Sequence, residues 1–209
     1  MPKLPDPPGA ATLANCLPAR IVTLPAGHEL WRIYFQGGSF PVTWSSFRHH
    51  GPLLTARFDH HVPPPSEQQR GILYAATDIV TCVAEVFQSN RLIDTNDRMP
   101  WLVGFRLSRD VQLLDLTGSW PTAAGASMLI NAGRRDRSRA WSRTIYEAYP
   151  GGEGLLYSSS MYANRPAAAL YERAVGALDP TPTFHRELAD PSLLDPLRRV
   201  ALELGYGLI

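Results

Sequence analysis

Side chains able to do chemistry are sparse in this 209-residue chain, and each has a plain structural alternative. Two pairs of adjacent histidines, His49-His50 and His60-His61, invite a metal reading. Neighbouring residues of an extended segment point to opposite sides, so neither pair makes a bidentate site by itself. The four could converge within their loop, but no cysteine or Glu-x-x-His spacing joins them, and no metal is expected. A nucleophile is no better supported: there is no G-x-S-x-G elbow, and Cys82 falls in a helical stretch without a neighbouring base. Glycine-rich phosphate cradles of the Walker or G-x-G-x-x-G type are absent. What remains is one glutamate, Glu85, a serine, Ser159, and two isolated arginines, Arg32 and Arg57.

Each of these is ambiguous on its own. Arg32 interrupts an aromatic strand and shares a face with Leu30 and Tyr34, so it is either a semi-buried guanidinium or an edge-strand arginine in water. Arg57 stands beside Phe58 in a loop. On a helical projection Glu85 lies about 180° from the Ile79, Val83, Phe87 stripe, beside Thr81 and Ser89. It therefore meets solvent, unless its helix walls a cleft, in which case the same geometry aims a carboxylate inward. Ser159 follows a strand within a run of serines and reads as a turn residue. The cluster Arg134, Arg135, Arg137, Arg139 and Arg143 could touch phosphate, but Arg135, Arg139 and Arg143 form one stripe opposite Trp141, Ile145 and Tyr149, the pattern of a solvated helix face.

The elements that must hold these residues follow from patterning. Strands are predicted at 29–35, 71–76, 102–107, 111–116, 154–157 and 167–171. Asp78 caps a helix running to about Arg91, a short helix fits 121–130, another spans 137–149, and Asp195-Pro196 opens one that Gly205 closes. Strands and helices alternate without a βαβ rhythm, which favours an α+β domain. Pro2, Pro5, Pro7, Pro8, Pro18 and Pro25 make residues 1–28 a poorly ordered or loosely packed lead-in, and residues 41–70 an irregular loop long enough to be functional.

Composition bounds the class. With 44% hydrophobic and 19% charged residues and a formal net charge of +1, the chain has material for one sizeable core and lacks the basic excess of a polyanion binder. No apolar run approaches the roughly 18 residues of a membrane span, and residues 1–28 hold no signal-like apolar core. Cys16 and Cys82 make no disulfide framework, and reduced thiols suit a cytoplasmic protein. Neither direct nucleic-acid binding nor membrane association is expected, and a homodimer is left open.

Taken in order, the weak signals resemble the RES domain family. The matching segments are Leu30-Trp31-Arg32-Ile33, then Gly71-Ile72-Leu73-Tyr74-Ala75-Ala76 leading to Ala84-Glu85, then Gly154-Leu155-Leu156-Tyr157-Ser158-Ser159. Leu114–Gly118, Arg139–Trp141 and Ala169–Ala174 fit as flanking pieces. The resemblance implies a single mixed α+β domain over residues 29–209, like the ADP-ribosyltransferase fold, behind a proline-rich extension at 1–28. It implies cleavage of NAD⁺ by phosphorolysis or hydrolysis, as the toxin of a bacterial toxin–antitoxin pair. The antitoxin would be a small helical DNA-binding protein that plugs the cleft. NAD⁺ is then substrate, inorganic phosphate a co-substrate, and no cofactor is needed. Residue by residue, Glu85, Arg32 and Ser159 match catalytic positions, and Arg57 and Tyr74 match binding positions, although Thr55-Ala56 precede Arg57 where relatives often have glycines. Transfer of ADP-ribose to a macromolecule and a non-catalytic nucleotide- or partner-binding homologue are the alternatives.

The implied chemistry suits these residue types. Breaking the nicotinamide–ribose bond produces an oxocarbenium-like transition state, for which glycoside hydrolases commonly use two carboxylates. Nicotinamide departs as a neutral group, so no general acid is required and one carboxylate suffices to favour the developing positive charge. Guanidinium groups bind phosphate through paired donors, Tyr74 offers a flat wall for the nicotinamide ring, and Ser159 a neutral hydrogen bond to phosphate or ribose.

Overall fold

A mixed sheet organises the chain in a computed structural model that describes residues 3–209. The first half runs α1 (Ala10–Cys16), β1 (Ile21–Leu24), β2 (Glu29–Phe35), β3 (Arg48–Gly51), β4 (Ser66–Ala76), α2 (Ile79–Val86), β5 (Leu92–Ile93) and β6 (Pro100–Arg106). The second runs β7 (Val111–Asp115), α3 (Trp120–Ala123), α4 (Leu129–Ala132), α5 (Arg135–Ala148), β8 (Gly154–Ser158), β9 (Pro166–Tyr171), β10 (Phe184–Glu187), α6 (Leu194–Leu204) and β11 (Gly207–Leu208). The sheet order is β1-β7-β8-β9-β4-β2-β6-β10, with β3 added alongside β4. Among the described residues only β7 and β8 pair in parallel within it, and β5 and β11 form a separate small ribbon. The domain is α+β, a central mixed sheet flanked by helices.

Alternation along the strands explains why the middle ones are apolar throughout. In β4, Ile72 and Ala76 join a core under α2, α5 and α6, while Leu73 and Ala75 join a second core on the opposite face with Phe47, Val103 and Phe105. β9 divides the same way, Ala167, Ala169 and Tyr171 against Ala168 and Leu170. A strand covered on both faces has no polar side to show, hence the run GILYAA. No helix among the described residues is long and apolar enough to cross a membrane.

Several expected boundaries move for identifiable reasons. The Asp78 cap accepts from the Thr81 amide and hydroxyl, both at 2.8 Å, but α2 stops at Val86 and not near Arg91. Gln88 donates to the Glu85 carbonyl at 2.6 Å, satisfying an end group that a further turn would otherwise have taken. The helix expected at 121–130 divides into α3 and α4 around Gly125, whose φ of +84° only glycine adopts without strain. Gly205, at φ +65°, closes α6 as expected. The 41–70 segment is less irregular than anticipated, since Arg48–Gly51 pairs with an extended β4 that begins at Ser66.

The lead-in expected to be loose is docked. α1 packs on α5, Leu4 and Leu13 are buried, and β1 pairs with β7 over four residues. The prolines remove donors but leave acceptors. Trp141 Nε1 donates to the Pro5 carbonyl at 2.8 Å, Trp120 Nε1 to Pro18 at 3.2 Å, and the Tyr149 hydroxyl to Leu17 at 2.9 Å. Replacing Leu13, 2% exposed, by alanine should cost about 2–5 kcal/mol of unfolding free energy in chemical denaturation. A loss indistinguishable from zero would contradict this docking.

Candidate active site

The cleft originates in strand pairing. β2 pairs with β6 along its whole length, from Glu29↔Arg106 to Phe35↔Pro100, but touches β4 at the single pair Trp31↔Ala76. β3 occupies the same edge of β4 further along, starting at Arg48↔Ile72. Between them residues 73–75 of that edge have no strand partner, and a cleft opens there. Its inner lobe, about 250 Å³, is lined by Arg32, Ile33, Tyr74, Cys82, Glu85 and Tyr157 among others. Its outer lobe, about 380 Å³, is lined by Phe35, Arg57, Tyr74, Glu85, Gln88 and Arg135 among others. Arg48, Tyr74, Glu85, Val86 and Tyr157 border both lobes.

Glu85 sits on the last turn of α2, which packs on β2, β4, β9 and α6. Thr81, Cys82, Val83 and Ala84 are all buried, so the polar side of this helix faces the protein interior and not bulk water. The cleft lies along the side of the helix that carries Cys82, Glu85 and Val86. Its Oε1 accepts from Ser159 Oγ at 2.6 Å. Ser159 is 1% exposed, and its oxygen in turn accepts from the Met161 and Tyr162 amides at 3.1 and 3.2 Å. The serine is thus both the turn residue expected after β8 and a fixed donor to Glu85. Its one proton is committed, so it acts on Glu85 and does not present a free hydroxyl to a phosphate or ribose.

The other expected residues meet in the same place. Arg32 is in an interior strand and not at an edge; its Nη1 donates to the carbonyls of Trp44 and Ser46 at 3.0 and 3.1 Å, tying down the loop after β2. Burial pulls its pKa down to about 10, so it stays charged at neutral pH. Arg57 donates to the Gly133 carbonyl at 2.6 Å. Burial and the adjacent Arg135 guanidinium lower its pKa, opposed by Glu85. The Tyr74 hydroxyl accepts from the Phe58 amide at 3.1 Å, and its ring walls both lobes. Burial pushes the Cys82 thiol up to about 12, which rules it out as a thiolate nucleophile near neutral pH. Four guanidinium groups, Arg32, Arg48, Arg57 and Arg135, therefore line a cleft whose lobes contain one carboxylate, Glu85. Such a site concentrates anions while keeping a single point of negative charge.

A sequence profile of the RES domain matches residues 29–191. The chain belongs to the RES domain family. A search of curated proteins gives no match. Among solved structures, the crystal structure of the M. tuberculosis MbcT–MbcA toxin–antitoxin complex contains a chain with a similar fold. The TM-score is 0.58 at 17% identity, covering 91% of this chain and 97% of that one.

Residues of this RES domain that sequence reasoning had not assigned complete the cleft. Gln88 receives a hydrogen bond from Arg135 at 2.8 Å and donates to the Glu85 main chain, linking α5 to the end of α2. Tyr157 had been quoted only as part of the segment leading to Ser159, and Arg48 not at all. The arginine stripe on α5 is not the solvated face it resembled. Arg139 is 8% exposed and donates to the Leu54 and Ala56 carbonyls, and Ser142 to Phe58, so α5 supports the loop that carries Arg57.

The same loop is stapled by a buried carboxylate. Asp59 accepts from Arg48 Nη2 at 2.8 Å, from the Leu53 amide at 2.6 Å and from His61 Nδ1. Burial acts to raise its pKa, but these partners overcome it and hold Asp59 near 2. His60 stacks on Tyr146 and packs at a tilt against Tyr171, at 4.5 and 4.3 Å between centroids, and burial lowers its pKa against the opposing pull of Glu172. The histidine pairs are therefore divided between core and surface, and among the described residues no group of three or more His, Cys, Asp or Glu is placed to hold a metal ion. Asp59→Ala should cost about 3–5 kcal/mol near pH 7, because Arg48 and His61 lose their counter-charge. With its pKa depressed, the carboxylate stabilises the fold fully above its ordinary value of 3.8 and progressively less as pH falls through 2. The stability gap between parent and variant should therefore narrow from pH 5 towards pH 2. A gap independent of pH would refute the staple.

Proposed function

We propose that the protein cleaves the nicotinamide–ribose bond of NAD⁺, with phosphate or water accepting the ADP-ribosyl group, and that it acts in the cytoplasm as the toxin of a toxin–antitoxin pair. The observation that carries this reading is the position of Glu85, bordering both lobes of a cleft lined by Arg32 and Arg57 and oriented by Ser159. Membership of the RES family and the toxin–antitoxin setting of the similar fold support it.

The geometry suggests a division of labour. Arg57 and Arg32 hold phosphate oxygens through paired donors. Tyr74 and Tyr157 wall the space beside Glu85 and give the nicotinamide ring flat apolar surfaces. Glu85 hydrogen-bonds the ribose hydroxyls and stabilises the positive charge that grows on the ring as the C–N bond lengthens. The electron pair leaves with the pyridinium nitrogen, which becomes neutral, so no proton donor is needed at that atom. Ser159 is a positioning residue for Glu85. It holds the carboxylate in one rotamer, so that the charge is in place before the bond breaks. An antitoxin would act by covering the cleft, and a small helical DNA-binding protein is the expected partner.

Purified protein incubated with NAD⁺, with and without inorganic phosphate, should release nicotinamide. Glu85→Ala should lower that rate by about 10²–10³-fold, the scale of removing one electrostatic stabiliser. Ser159→Ala should lower kcat by roughly 10-fold with little change in KM, since it acts on orientation and not on binding. Equal negligible rates for folded parent and Glu85→Ala would sink the enzymatic reading. Label from the ADP-ribosyl group appearing in macromolecule would replace it with transfer to a protein or nucleic acid.

A further inference from the structure

We infer that Arg135 and Arg57 together form a phosphate clamp at the outer mouth of the cleft, and that Arg135 determines how well a phosphorylated ligand is held there. The inference rests on the NAD⁺ reading of the cleft and adds to it a residue and a subsite. Arg135 opens α5 and lines the outer lobe, and both arginines also border an open basin of about 700 Å³ outside it. One nitrogen of each guanidinium is committed to the protein, Arg57 Nη1 to Gly133 and Arg135 Nη2 to Gln88. The remaining donors of both are available to a ligand in the lobe or basin.

The neighbouring arginines show what is missing. Arg134 is neutralised by Asp136 through two contacts at 3.1 and 2.7 Å, and Arg137 by Asp6 at 3.1 Å. Among the described residues, Arg57 and Arg135 have no carboxylate within ion-pair distance, and Asp136 turns away from them to Arg134. Two like charges are thus held side by side, and the effect is visible on Arg57, where burial and Arg135 both favour loss of the proton. An anion with several charged oxygens relieves that repulsion and accepts two guanidinium forks at once, which a phosphate does and a single carboxylate does poorly.

Two sources supply this chemistry: the diphosphate of the dinucleotide, or inorganic phosphate arriving as the acceptor. In the second case a phosphate oxygen forms the bond to the anomeric carbon as the bond to nicotinamide breaks. The electron pair leaves with nicotinamide, giving ADP-ribose 1-phosphate and a neutral base.

The test is calorimetric titration of the full chain with inorganic phosphate alone and with pyrophosphate alone. Arg135→Gln should weaken at least one of the two by ten-fold or more, and Arg135→Lys by less, because the charge remains while the fork is lost. Absence of phosphate and pyrophosphate binding to the parent protein, or unchanged affinities in folded Arg135→Gln, overturns the clamp. An equal loss in Gln88→Ala also overturns it, since Arg135 would then act only through Gln88. Initial rates of nicotinamide release separate the sources. A raised KM for phosphate assigns the clamp to the acceptor, and a raised KM for NAD⁺ assigns it to the diphosphate. A parent protein that binds phosphate but releases no nicotinamide would sink the NAD⁺ reading and leave the clamp standing.

Discussion

The candidate site depends on two strands that meet once and then part. β2 and β4 lie next to each other in the sheet, yet they share only Trp31↔Ala76. A continuous ladder there would have satisfied the backbone and closed the sheet. The gap instead admits a helix end, a guanidinium and two tyrosine rings. The cost is borne by neighbours: Arg32 gives its donors to loop carbonyls, and β3 takes over the edge of β4 beyond the opening. The cleft is therefore a property of the sheet itself, and Arg32, Tyr74 and Glu85 sit on its strands and on a helix packed against them, as a preorganised site requires.

Charge placement follows from the same opening. Glu85 lies in the last turn of α2, where the helix dipole disfavours a negative charge. The Ser159 hydroxyl and the surrounding guanidinium groups compensate. Asp59, the other carboxylate close by, is withdrawn from the cavity into a buried pair with Arg48 and His61. One acid is thus left facing the space that a ligand would occupy, and the other is used to hold the loop beneath it.

How far the sequence foretold this can be judged residue by residue. The central strands were legible because burial on both faces writes an unbroken apolar run, and Asp78 and Gly205 were legible because cap chemistry is local. Glu85 could be assigned to the face opposite the apolar stripe, but a helical projection does not say whether that face meets water or a cavity; only the parting of β2 and β4 decides that. Ser159 was expected to touch ligand and instead touches Glu85, because its contacts bridge a turn and a helix far apart in the chain. Arg139 looked solvated because the loop it supports lies more than eighty residues earlier, and Arg135 because its partner Gln88 follows another helix, both beyond the reach of any periodicity. The lead-in was misjudged since proline was weighed as a lost donor, when its carbonyl was what the indoles of Trp120 and Trp141 required.

Those indole contacts join Pro5 to Trp141, and Arg137 reaches back to the carbonyl of Leu4 in the same way. During synthesis this segment thus finds its partners only on a helix made much later. Ser159, which orients Glu85, is later still. A topology so rich in distant pairings folds slowly and late. On the ribosome the nascent chain carries no assembled cleft until synthesis has passed β8, so Glu85, Ser159 and the guanidinium groups around them come together only after every strand from β1 to β8 has been made.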